Sequence, residues 1–240
     1  TLYSTLKQLA TPAVNVCTIE DPIEMVEPAF NQMQVQNAIE LDFAQGVRAL
    51  MRQDPDIIMV GEIRDLETAE VAIQAALTGH LVLSTLHTND APAAVTRLLD
   101  LGLPSYLISA TVLGVMAQRL VRVLCPNCKK AVPATPEDEA MWDRLVAPWK
   151  ANRPAQFYHP VGCLDCRMTG YRGRVGVYEI LMLSGDMKQL ISDNAEVSRI
   201  RDLAYREGMK PLRISGAMKV AAGATTLAEI FKVAPPSERS

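Results

Sequence analysis

The chain has 240 residues, 49% hydrophobic and 21% charged, close to the soluble globular average, which excludes disordered, collagen-like and low-complexity classes. Its formal net charge of -3 argues against a general nucleic-acid binder, which carries a basic excess. The longest nearly continuous apolar stretch, Leu107 to Ala117, falls short of the roughly 20 residues a spanning helix needs, so no direct membrane span is expected.

No basic-then-apolar signal segment stands at the N-terminus, and the chain opens at Thr1 rather than Met, which predicts a piece of a longer protein. Val14 to Ile19 is dense in β-branched residues and is followed by an acidic, proline-containing turn, the pattern of a strand. Asp42 then reads as an N-cap, with Phe43, Val47, Leu50 and Met51 at helical spacing behind it. That helix must end before Asp54-Pro55-Asp56. Ile57-Ile58-Met59-Val60 is wholly apolar and ends at Gly61-Glu62, as expected of a strand buried on both faces of a parallel sheet. A helix from about Leu66 to Thr78, capped by Asp65 and stopped by Gly79, leads into a third strand from Leu81 to Thr85. The alternation of strand and helix predicts an α/β domain over 1–124.

The composition changes near Cys125. Up to Arg174 the chain is rich in Pro, Gly, Cys and Arg with little periodicity, which predicts an inserted, loop-rich element over 125–174 held by metal rather than by a core. Beyond it, 175–233 reads as a C-terminal helical region. Val197, Ile200, Leu203 and Ala204 mark one face, Gly208 a stop, and Thr226 with Glu229 a capping box. Residues 234–240 read as a frayed tail.

Four of the five cysteines fall into two Cys-x-x-Cys pairs, Cys125 with Cys128 and Cys163 with Cys166. Each pair is a knuckle that offers two thiolates to one ion, and two knuckles suit one tetrahedral zinc. A redox pair is disfavoured, because a thioredoxin-type site uses one such motif in a βαβ setting. Lys129, Lys130, Arg167, Arg172 and Arg174 crowd the element. They either offset thiolate charge and aid solubility, or dock to an acidic face of a membrane-embedded partner.

Three further clusters sit at strand ends, where ligands of open α/β sheets bind. In Glu20-Asp21-Pro22-Ile23-Glu24 three carboxylates fall within five residues, a costly crowding unless a cation or proton sits among them; the plain alternative is a solvated acidic turn. In Gly61-Glu62-Ile63-Arg64-Asp65 a strand-end carboxylate can hold magnesium through its water shell and Arg64 can complement phosphate; the alternative is a Glu62–Arg64 salt bridge. In Thr78 to Asn89, His80 precedes the strand and His87 follows it. Only His87, with Thr85 and Thr88, shares the edge where the acidic clusters converge.

In order and spacing these clusters resemble the secretion-superfamily ATPases of bacterial type II secretion and type IV pilus assembly. Glu20 to Glu24 looks like that family's aspartate box, Ile57 to Glu62 like its Walker B strand, and His80 to His87 like its histidine box. The four cysteines are similar to the tetracysteine element of its secretion and pilus-extension members. One departure stands out: the family's phosphate loop, G-x-x-x-x-G-K-[ST], immediately precedes a segment like Thr1 to Leu6, and no such motif occurs in the chain.

The resemblance implies a partial RecA-like core and the C-terminal part of a homo-hexameric ATPase motor that uses ATP and Mg2+, with zinc on Cys125, Cys128, Cys163 and Cys166. It implies that Glu24 polarises the attacking water, Glu62 holds magnesium, and His87 and Arg64 sense or stabilise the γ-phosphate. Glu20 and Asp21 either orient the magnesium shell or shape the turn, and Thr85 lies on the nucleotide side. The implied partners are an inner-membrane platform protein and a cytoplasmic adaptor, with no nucleic acid, at a cytoplasmic site peripheral to the inner membrane. Without a phosphate loop, these 240 residues alone are expected to be inactive. A competing reading is a non-catalytic assembly or docking module with a structural zinc.

Overall fold

The computed structural model describes residues 1–149 and 151–235, so residues 236–240 of the expected tail lie outside the described residues. The chain divides into two compact units. One comprises Thr1–Leu113 and Leu183–Arg201; the other comprises Gly114–Met182 and the residues from Asp202 on.

The first unit is built on a four-stranded parallel sheet. Helix α1 (Leu2–Leu9) leads into β1 (Val16–Glu20) and β2 (Asn31–Gln34). Helix α2 (Phe43–Leu50), β3 (Ile57–Val60), α3 (Leu66–Leu77) and β4 (Leu81–Ser84) follow, and the strand order is β2-β1-β3-β4. The expected caps form: Asp42 accepts from the Gln45 amide and Asp65 from the Thr68 amide, each at 2.8 Å. Gly79, at φ +104°, takes the left-handed conformation that ends α3. Because side chains alternate across a strand, β1 and β3 serve two cores. Cys17, Ile19, Ile58 and Val60 pack with Val47 and Leu50 of α2 and Val71 of α3, whereas Val16, Ile57 and Met59 pack with Leu6 of α1 and Phe30. Both central strands are fully buried, as their apolar sequences require. Helices α4 (Ala91–Asp100) and α5 (Ser105–Thr111) continue this unit.

The second unit begins at Gly114, within the apolar stretch Leu107 to Ala117. Residues 114–124 form β5 (Gly114–Leu124), so the expected core boundary at 124 falls at the end of a strand that belongs elsewhere. The 125–174 element has more regular structure than its composition suggests. It holds β6 (Lys130–Pro133), α6 (Pro136–Val146) and β7 (Gln156–His159), and β6 pairs antiparallel with β7. Trp142, Leu145 and Phe157 are buried, with the Trp142 and Phe157 rings edge to face at 6.0 Å between centroids. Thr135 closes a full capping box with Asp138 at the start of α6. The region from 175 is not helical at first, because β8 (Tyr171–Met182) pairs with β5 along nearly its whole length. A strand of β-branched and aromatic residues in register with a long partner outweighs a weak helical pattern.

Helix α7 (Gly185–Ser192) lies in the first unit, and α8 (Val197–Arg206) carries the chain into the second. Helices α9 (Leu212–Ala221) and α10 (Leu227–Val233) complete it. Only half of the expected capping box at Thr226 forms. The Thr226 hydroxyl accepts from the Glu229 amide at 3.3 Å, but the Glu229 carboxylate turns to Arg122. It accepts from that guanidinium at 3.0 and 2.7 Å and from the Arg122 amide at 3.3 Å. A bidentate pair with a charged guanidinium outweighs the single bond a carboxylate can accept from a cap amide.

Candidate active site and metal centre

The parallel register sets Ile19 beside Val60 and Val60 beside Ser84, so the acidic turn after β1, Gly61-Glu62 after β3 and Thr85 to His87 after β4 emerge at one edge. Open α/β sheets bind ligands at this C-terminal edge. Backbone bonds carry the alignment past the strands: the Gly61 amide donates to the Ile19 carbonyl at 2.8 Å and the Ile63 amide to the Thr85 carbonyl at 3.0 Å. A Cβ on Gly61 would stand 3.2 Å from the Ile19 oxygen and 3.3 Å from the Phe43 ring, so a glycine suits this close approach.

Glu62 is the centre of the cluster. Its side chain is 13% exposed, forms an ion pair with Arg64 and lies within hydrogen-bond reach, at 3.1 Å, of Nε2 of His87, which is 84% exposed. The Glu62–Arg64 pair anticipated as the plain alternative is therefore present. Arg64 holds the Glu62 carboxyl below the usual range against the opposing effect of burial, and His87 adds to it. The charge on Asp21 in turn helps to raise the Arg64 pKa, so the first and second clusters share one electrostatic neighbourhood. Thr85 is committed to the backbone, its hydroxyl donating to the Gly61 carbonyl at 2.7 Å.

The five-residue acidic turn separates into two environments. Glu20 is buried on the α1 face of the sheet, where its carboxylate accepts from the hydroxyls of Thr18 and Tyr3, both at 2.6 Å, and from Gln32 Nε2 at 3.2 Å. Burial first, and then Glu20, push the Tyr3 phenol up to about 12. This geometry suits Glu20 to shaping the turn. Glu24 is exposed, as is Asp21, and Glu24 makes no hydrogen bond or ion pair among the described residues. His80 is held locally, with Nδ1 2.9 Å from the Ala75 carbonyl and 3.1 Å from Thr78 Oγ1. Tyr3, Thr18, Gln32 and Gln34 were missed by sequence reasoning. The available signal was the i, i+2 pair of glutamines in Asn31-Gln32-Met33-Gln34, which places two long amides on one face of a strand.

In the second unit the four cysteines converge. Their sulfurs lie within 4.8 Å of one another, with Cys125 to Cys163 at 3.9 Å, Cys128 to Cys166 at 3.8 Å and Cys163 to Cys166 at 3.7 Å. A tetrahedron of ~2.3 Å zinc–sulfur bonds has edges of about 3.8 Å, whereas a disulfide needs roughly 2.05 Å. Amides of Gly162, Cys163 and Gly170 point at Sγ of Cys128 or Cys166 at 3.2 to 3.3 Å. Burial opposes charge on Cys166, yet the amides of Cys163 and Gly170 bring its thiol down to about 6. Cys163 has a backbone contact with Cys166 that lowers its pKa, but burial and three neighbouring sulfurs push it up to about 11. As thiolates, four sulfurs at this spacing would repel one another without a cation among them, and the donor set and its spacing fit zinc. Cys17 is buried apart from them, in the sheet.

The family described as Type II/IV secretion system protein matches residues 1–232. The type IV pilus assembly ATPase TfpB of Acinetobacter baylyi is 60% identical over 98% of this chain and 40% of its own length. The type IV pilus assembly ATPase PilB of Myxococcus xanthus is 50% identical over 96% and 40%, and the type II secretion system ATPase E of Vibrio cholerae is 45% identical over 99% and 46%. The chain thus spans less than half the length of these curated relatives. Among solved structures, the pilus retraction motor PilT with bound ADP superimposes with a TM-score of 0.70 at 26% identity, covering 100% of this chain and 58% of PilT. The Legionella pneumophila ATPase DotB, at 24% identity and TM-score 0.66 over 97% of this chain and 55% of its own, shares the fold. With a family match over nearly its whole length and relatives of this identity, the chain belongs to the type II/IV secretion system protein family.

Proposed function

We propose that this chain is the C-terminal ATPase portion of a homo-hexameric motor that hydrolyses ATP to drive type II protein secretion or type IV pilus assembly. The observation that carries the reading is Glu62, ionised between Arg64 and His87 at the C-terminal edge of a parallel sheet, with the Glu24 turn beside it. The relatives' names support the same reading, since each is called an ATPase of one of these two systems.

Ile57 to Glu62 acts as the Walker B strand of a RecA-like core. Glu62 would hold a magnesium ion through its water shell, and that ion, when bound, supplies positive charge against the phosphates. Glu24 takes a proton from the attacking water as the water oxygen bonds to the γ-phosphorus and the bond to the β-γ bridging oxygen breaks. Arg64 and His87 stabilise charge on the γ-phosphate. Asp21 adds negative potential on the metal side, and Thr85 fixes the backbone of Gly61 on the nucleotide side. Cys125, Cys128, Cys163 and Cys166 hold a structural zinc. Partners of this motor are an inner-membrane platform protein and a cytoplasmic adaptor, which places it on the cytoplasmic face, peripheral to the inner membrane.

Phosphate release by the full-length protein containing this chain tests the reading. Release that is lost in Glu24→Gln supports it, no ATP-dependent release from the wild type would overturn it, and an unchanged rate in Glu24→Gln would remove only Glu24 from the reaction. The tetracysteine cluster favours one second reading, a non-catalytic docking module with a structural zinc. It predicts zinc content without nucleotide turnover in that same protein.

A further inference from the structure

The turn that carries Glu24 is held from one side by two side chains of the edge strand β2. Gln34 Oε1 accepts from the Ile23 amide at 3.3 Å. Gln32 Nε2 donates to the Met25 carbonyl at 3.0 Å, and Gln32 Oε1 accepts from the Glu27 amide at 2.7 Å. The two backbone atoms caught at Ile23 and Met25 flank Glu24 directly. The Gln32 amide also reaches inward, to the Tyr3 hydroxyl at 3.0 Å and to Glu20 Oε1 at 3.2 Å. Since an amide N–H can only donate, the Glu27 contact fixes which end of the Gln32 side chain is oxygen.

Each partner of this pair has a physical reason to stay in place. Gln32 and Gln34 are two residues apart on a strand and so project from the same face. Glu20 is buried and ionisable, and a buried acceptor is costly to leave unpaired, so Gln32 is drawn toward the sheet while its other bonds hold the turn. Lys7 of α1 pairs with Glu27, which ties the far side of the turn to the same helix that carries Tyr3. Glu24 itself is exposed; its carboxylate takes its place from a backbone that other side chains restrain.

We propose that Gln32 and Gln34 are positioning residues for the Glu24 carboxylate, clamping the backbone on either side of it and tying that backbone to the buried Tyr3–Glu20 pair. The proposal rests on the reading of Glu24 as the group that acts on water. A general base must stand within hydrogen-bond reach of its proton, and a misplacement of about 1 Å can cost around 10² in rate. A released turn therefore lowers kcat while substrate binding, which depends on other groups, is retained.

The test is made on the full-length protein containing this chain, with three measurements on each variant: hydrogen exchange of the Ile23 and Glu27 amides, kcat, and KM for ATP. Gln34→Ala removes only the acceptor for Ile23, and because Gln34 is exposed it is not expected to change the melting temperature. Gln34→Glu keeps an oxygen at the same reach. Gln32→Met keeps the volume and removes the bonds to Met25 and Glu27 together with those to Tyr3 and Glu20. The expected result is faster exchange at Ile23 in Gln34→Ala and at Glu27 in Gln32→Met. With it, kcat falls by about tenfold or more at nearly constant KM, and Gln34→Glu recovers most of the loss. Unchanged exchange at both amides overturns the clamp. Faster exchange with unchanged kcat, in a protein where Glu24→Gln is inactive, overturns the positioning role. Full turnover by Glu24→Gln overturns the reading of Glu24 and the positioning role with it, and is told apart from failure of the clamp because the exchange data do not depend on turnover.

Discussion

Asn127 Nδ2 donates to Asp165 Oδ2 at 2.8 Å, so the middle of one Cys-x-x-Cys knuckle is bonded to the middle of the other. The sulfurs are thus aligned by a side-chain clasp as well as by the amides that point at Cys128 and Cys166. The purified protein should contain close to one zinc per chain, and loading should release protons, because the Cys163 thiol near 11 must ionise to ligate. Outer-shell groups typically change metal affinity by about 10 to 100-fold, so Asn127→Ala and Asp165→Ala should each speed loss of zinc to a chelator, with little further effect in the double variant. Elemental analysis and a chelator time course check this. Zinc near zero in protein prepared without chelator, with Cys125 disulfide-bonded to Cys128, would remove the metal.

Acid should act on the second unit through Glu229. The Arg122 guanidinium, against the opposing effect of burial, and then Lys232 bring its carboxyl down to about 2. A depressed carboxylate stabilises the fold above its unfolded pKa, near 4.3, and that stability is lost as pH falls from there toward 2. The side chain is only 7% exposed, so the shift corresponds to something on the order of 3 kcal/mol. Arg122→Ala should remove most of this and leave a buried carboxylate without its main partner. Thermal unfolding between pH 6 and 2.5 follows the effect, and an acid limb equal in wild type and Arg122→Ala would count against it.

Gly46 poses a contest between two effects of known sign. It lies within α2, where alanine favours helix by about 1 kcal/mol over glycine. A Cβ there would stand 2.7 Å from both Cγ1 and Cδ1 of Ile19, a residue with no exposed surface. Overpacking of a filled core costs roughly 1 to 3 kcal/mol, and Ile19 has little room to turn between α2 and the sheet. The core term wins, so Gly46→Ala should lower the melting temperature. An equal or higher value would show that Ile19 moves freely.

The parts of the fold visible in the sequence are those where local pattern and tertiary demand agree. Ile57 to Val60 is apolar on both sides because two cores need it, and Asp42 and Asp65 cap helices with their own side chains; such signals lie within a few residues. What could not be read depends on partners far along the chain. Tyr171 to Met182 becomes a strand because Gly114 to Leu124 is there to pair with it. Glu229 leaves its cap for an arginine 107 residues away. In the candidate site the charged residues were legible because carboxylates and histidines crowd at strand ends. The glutamines behind Glu24 were not, since an amide in an edge strand looks like any solvated side chain until its acceptors are known.

Glu24 and Glu62 stand at the same sheet edge in different settings, and this predicts different kinetics in the full-length protein. Glu24 is exposed and without a hydrogen bond or ion pair among the described residues, so Glu24→Gln should leave the melting temperature nearly unchanged. If it acts on water during hydrolysis, turnover should fall by about 10² or more while nucleotide affinity is retained. Glu62 is tied to Arg64 and His87, so Glu62→Gln weakens an ion pair and a hydrogen bond as well as the magnesium site. Turnover should fall and the magnesium concentration for half-maximal rate should rise, with a modest loss of stability, since both partners are largely exposed and screened. Purely structural carboxylates would give the reverse order, with small kinetic changes and a clear fall in melting temperature. Turnover, magnesium dependence and melting curves for the two variants separate these outcomes, and near wild-type hydrolysis by Glu24→Gln would remove it from the reaction.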